Sequence, residues 1–84
     1  MNLARVTGSV WMTERHPAYA GRKLLTVRIE GDEREVLAID LVAAGAGDRV
    51  LLMEEGNGAR QLLGDDAAPI RSVIVGVVDG IQVA

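Results

Sequence analysis

Five short segments of this 84-residue chain alternate their side chains with a period of two, and the last three are apolar on both sides. A period of two marks a β-strand, whose successive side chains point to opposite faces of a sheet. A strand that is apolar on both faces must be covered on both faces, which a small all-β chain has little material to do. The first segment, residues 2–13, sets Ala4, Val6, Gly8, Val10 and Met12 against Leu3, Arg5, Thr7, Ser9, Trp11 and Thr13. It reads as a half-buried strand with Trp11 on its more polar side. Two readings of Trp11 stand side by side: a partly covered surface residue, or an anchor in a contact between subunits, where Trp is enriched.

Residues 14–22 contain Pro17 and Gly21 and read as a loop. His16 lies in it as the single His of the chain, reads as a surface residue and supplies no case for a catalytic base. Residues 23–30 alternate again, with Leu25, Val27 and Ile29 facing in and Thr26, Arg28 and Glu30 facing out. Gly31-Asp32-Glu33-Arg34 is a connector of hairpin length. A third strand is expected from about Glu35 to Val42, with Val36 and Ala38 on one face and Leu37, Ile39 and Leu41 on the other. A fourth covers Asp48 to Met53, and the last runs from Ser72 to about Val83. In the last, Val73, Val75 and Val77 share one face and Ile74 and Val78 the other, while Gly76 and Gly80 interrupt it as bends or bulges would. Between these two strands, Asn57 can cap one or two helical turns over Ala59–Leu63, closed by Gly64. The expectation is one all-β domain, 1–84: a small five-stranded OB-like β-barrel with one short helix between strands 4 and 5.

A domain of this size buries only about 60% of its unfolded surface and usually needs a staple. The chain has no Cys, which removes disulfides, thiolate metal sites and cysteine nucleophiles together. With one His and scattered carboxylates, neither a metal nor a cofactor is expected. Association with further copies remains. A neighbouring subunit is therefore expected to cover the outer faces of strands 3 to 5, with Ile74 and Val78 in the outward set. Asp40 and Asp79 interrupt apolar strands and call for a cation or backbone N–H partner, with Arg60 a candidate across the interface.

The motifs exclude more than they suggest. Gly45-Ala46-Gly47 lacks the third glycine and the following helix of a dinucleotide fingerprint, so Gly45 and Gly47 read as tight-turn glycines. Lys23, the only lysine, lacks phosphate-loop spacing. The neighbouring acids Glu54-Glu55 and Asp65-Asp66 diverge along the chain and make no acid–base couple. A net charge of −3 with one Trp, one Tyr and no Phe weighs against a barrel that binds single-stranded nucleic acid, the alternative reading. No signal-like N-terminus or run of about 20 apolar residues is present, so a cytoplasmic chain with no membrane partner is expected.

The blocks that carry this pattern resemble one known family, the pentameric vertex proteins of bacterial microcompartment shells (EutN/CcmL). Gly8-Ser9-Val10-Trp11-Met12-Thr13 is similar to its opening strand, and Pro17 with Gly21-Arg22-Lys23-Leu24-Leu25 to its next block. Asp40-Leu41-Val42-Ala43-Ala44-Gly45-Ala46-Gly47-Asp48 resembles its central Gly-rich segment, with Ala43 where the family usually has Gly. Gly56-Asn57-Gly58-Ala59-Arg60 matches the entry to the helix, and Pro69-Ile70 with Val73-Ile74-Val75-Gly76-Val77-Val78-Asp79 the closing strand. Arg71 departs from a frequent Asp, and Asn57-Gly58 from a common pair of small hydroxyl residues. The resemblance implies a non-enzymatic structural protein: a barrel protomer forming a homopentamer at the fivefold vertices of a shell built with hexameric and trimeric tiles. The residues themselves offer Trp11, Arg60, Ile74, Val78 and Asp79 as candidates for the subunit contacts, and the resemblance places Asn57 and Gly58 near a possible central pore.

Overall fold

Backbone pairing joins the alternating segments into a ring. The computed structural model describes residues 1–14, 17–19, 21–32, 34–54 and 71–82. They form β1 (Asn2–Ser9), a single 3-10 turn (Pro17–Tyr19), β2 (Lys23–Ile29), β3 (Glu35–Asp40), β4 (Arg49–Glu54) and β5 (Ser72–Val77). The strands close in the order β1-β2-β3-β5-β4, with β4 returning to β1. All neighbours are antiparallel except β3 and β5. Followed around the ring, Asn2 leads through Leu52, Ile74 and Asp40 to Lys23, which lies past the pairing of Ser9 with Leu25. A stagger of almost a full strand means steep tilt, the condition for closing so few strands into a barrel. The short helix expected within 57–64 lies outside the described residues.

The barrel interior holds Ala4, Val6, Leu25, Val27, Ile29, Ala38, Ala44, Val50, Leu52 and Ile74. None is aromatic, which suits a cross-section narrower than that of an eight-stranded barrel. In β2 the alternation is realised as expected: Leu25, Val27 and Ile29 are buried.

Two irregularities overturn the expected faces elsewhere. In β1 the register shifts between Val6 and Gly8, leaving Thr7 as the extra residue. One extra residue transfers every following side chain to the other face. Gly8 is thus paired with the outward Thr26 and Ser9 with the core residue Leu25, the reverse of simple alternation. In β5 the shift leaves Val75 unpaired between Ile74, opposite Leu52, and Gly76, opposite Leu51. Ile74, expected in the outward set, is fully buried inside the barrel because its partner Leu52 is a core residue. Val73 takes the outer side and joins Ile39 in a second cluster packed by Tyr19, Leu24 and Val75.

That second cluster corrects a further expectation. Ile39 and Val73 are already buried in the single chain, with Tyr19 from the 3-10 turn packed against them. A neighbouring subunit is not needed to cover this part of strands 3 and 5.

Candidate subunit-contact surface

What the completed barrel leaves exposed is a small set of large apolar side chains. Trp11 is 93% exposed, Ile81 57% and Leu37 53%, with Leu41, Val42 and Val77 near 40%. Trp11 stands where the chain leaves β1, held by a backbone bond from Val10 N to Leu24 O at 3.0 Å. It lines an open groove of about 290 Å³ with Val10, Met12, Lys23 and Leu24. Trp11 is the most exposed of these apolar side chains, just beyond the end of β1.

The segment that follows β3 is fixed by its own hydrogen bonds. Gly47 N donates to Val6 O at 2.9 Å, and Val6 N to Asp48 O at 2.9 Å, which ties the loop to β1. Gly45 N donates to Asp48 Oδ2 at 2.8 Å, and Asp48 N returns to Gly45 O at 3.0 Å. Lys23 Nζ donates to the carbonyl of Ala44, whose side chain is sealed inside the barrel. Gly47 lies at φ +86°, a conformation glycine adopts without steric cost. Gly45 does not share this feature, and a Cβ there would meet only Asp48 Oδ2 at an ordinary 3.9 Å. The strained position is instead Ala43, at φ 59°.

The acidic residues divide. Asp40 Oδ1 accepts from Val42 N at 3.0 Å, the expected backbone partner, while Oδ2 is buried with no hydrogen bond. Asp79 is exposed. Val78 is half-buried, its N–H bound to Arg49 O at 2.8 Å. Arg60, Asn57 and Gly58 lie outside the described residues. Among the described residues no group of three or more His, Cys, Asp or Glu is placed to hold a metal ion.

This barrel is matched over residues 1–79 by the family model for the ethanolamine utilisation protein EutN/carboxysome group. The chain belongs to the EutN/CcmL family. A carboxysome shell vertex protein, CcmL of Nostoc sp., is 38% identical over 88 residues, covering 99% of this chain and 87% of that protein. A solved ethanolamine utilization protein EutN superposes with a TM-score of 0.90 at 36% identity, covering 99% and 91% of the two chains. A solved pentameric shell protein from the RMM microcompartment gives 0.87 at 30% identity, covering 100% and 96%. EutN/CcmL relatives are thus shell vertex proteins, and solved ones include pentamers.

Among the residues that sequence reasoning proposed for the contact, the structure leaves Trp11 and Asp79 exposed and removes Ile74. It adds Leu37, Leu41, Val42 and Ile81 as uncovered apolar positions. Leu37 and Leu41 share a face with Ile39 in the sequence pattern, and nothing in that pattern separates the covered residue from the uncovered two.

Proposed function

We propose that this chain forms a homopentamer that closes the fivefold vertices of a bacterial microcompartment shell, a structural and non-enzymatic role. The observation that carries the reading is the exposed apolar set, led by Trp11, on a barrel whose own core is complete. A cyclic ring joins two different patches of each subunit head to tail and closes on itself. Trp11, Val78 and Asp79 are assigned to that contact together with Arg60, and Asn57-Gly58 to the neighbourhood of the ring axis. The relatives' role as shell vertex proteins supports hexameric and trimeric shell tiles as partners and a place in the shell within the cytoplasm.

Co-expression with the hexameric shell tile of the same organism tests this by electron microscopy. The tile alone is expected to form sheets or open tubes, and the tile with this chain closed polyhedral particles. Particles equally closed without it would refute the vertex role.

A further inference from the structure

Three arginines stand abreast on the outside of the barrel. Arg5 of β1 is directly opposite Arg28 of β2 on one side and Arg49 of β4 on the other. Like charges at directly opposed positions of neighbouring strands repel, so such a row is unfavourable unless an anion lies across it. One member is neutralised: Arg49 donates to Glu30 through Nε at 2.7 Å and Nη2 at 2.6 Å. Arg5 donates through Nη1 to the Gly47 carbonyl at 2.7 Å, which satisfies an N–H but leaves the charge. The Arg28 side chain makes no hydrogen bond or ion pair among the described residues. Its neighbour on β3 is Glu35, whose Oε1 accepts instead from Thr7 Oγ1 at 2.5 Å. Arg5 and Arg28 flank an open groove of about 340 Å³ that Thr7 and Glu30 also line.

We propose that this groove binds the carboxylate of an acidic protein segment, held between the guanidinium groups of Arg5 and Arg28. Neighbouring strands lie about 4.8 Å apart, a separation one carboxylate can bridge, and the guanidinium fork matches its planar geometry. The groove lies open on the surface, which suits a chain laid across the strands, whereas small-molecule sites enclose most of their ligand. On a chain of net charge −3, this local reversal of sign selects and orients an acidic partner. The site is formed by β1 and β2 of a single chain.

Calorimetric titration of the full chain with a hexaglutamate peptide tests it, against a hexaglutamine peptide and inorganic phosphate at matched ionic strength. Saturable binding of hexaglutamate is expected, weakening with added salt and roughly tenfold or more in Arg28→Gln. Arg71→Gln, which changes an exposed arginine outside the groove, should bind as the wild type does. Absence of hexaglutamate binding would overturn the site, and an equal response to phosphate would make it a small-anion site. Native mass separates the last alternative: an Arg28→Gln oligomer smaller than the wild type would assign the row to the subunit contact.

Discussion

Ala43 is the one described residue other than glycine held at positive φ, at 59°. Placing a Cβ in that left-handed region costs roughly 1–2 kcal/mol. Replacing Ala43 with Gly relieves that cost, while the freer unfolded chain returns about 0.4–1 kcal/mol of it. The net expectation for Ala43→Gly is a gain centred on about 0.8 kcal/mol. For a domain of this length that raises Tm by about 3–6 °C. Four residues on, Gly47→Ala makes the opposite change at φ +86° and should lower Tm by a similar amount. Between them, Gly45→Ala meets neither a positive φ nor a close atom, so it should raise stability by about 0.4–1 kcal/mol. The assay is thermal unfolding by circular dichroism at one fixed protein concentration, because association makes Tm concentration-dependent. If Ala43→Gly lowers Tm while native mass is unchanged, the conformational reasoning fails. A Gly47→Ala variant as stable as the wild type would refute it equally.

Other expectations follow from burial and charge. Ile74→Ala should cost about 2–5 kcal/mol against a total near 4–13 kcal/mol, measured by urea unfolding; a negligible loss with a smaller oligomer would return Ile74 to the interface. Trp11→Ala should lower the assembly state in sedimentation while the β signal persists, and unaltered sedimentation would remove Trp11 from the contact. Hydrogen bonds from Arg49 hold the Glu30 carboxyl below its ordinary value of 4.5. A lowered folded-state value gives stability that is present above 4.5 and lost as the pH falls through the folded-state value. Thermal melts down to about pH 3 should therefore fall more steeply for the wild type than for Glu30→Gln, and parallel profiles would refute that linkage.

The strands that advertise their faces were the ones legible in the chain. In β2, Thr26 and Arg28 alternate with Leu25, Val27 and Ile29, so the inner side is marked by polar neighbours. Val73-Ile74-Val75 has no polar member, and which side enters the barrel is decided by the pairing of Ile74 with Leu52. The bulge at Thr7 is equally silent, because Thr is at home in a regular strand and only the ladder reveals the extra residue. Tyr19 sits in a loop between Pro17 and Gly21, and no periodicity links it to Ile39 and Val73. The arginine row joins residues 5, 28 and 49, and it exists only once the register of three strands is known. Closed five-stranded topology, by contrast, is legible from the strand count together with the bends that Gly76 and Gly80 mark. The exposed apolar positions are legible in part: Trp11 stands out as a large aromatic among small aliphatic side chains, while Leu37 and Ile39 are indistinguishable before packing.

Assembly into a ring of five is the claim on which the vertex role depends, and native mass spectrometry of the purified chain tests it most directly. At micromolar concentration, near-neutral pH and moderate salt, a dominant species of about 45 kDa is expected, five times the 8.9 kDa chain. A population of one or two subunits under the same conditions would contradict it.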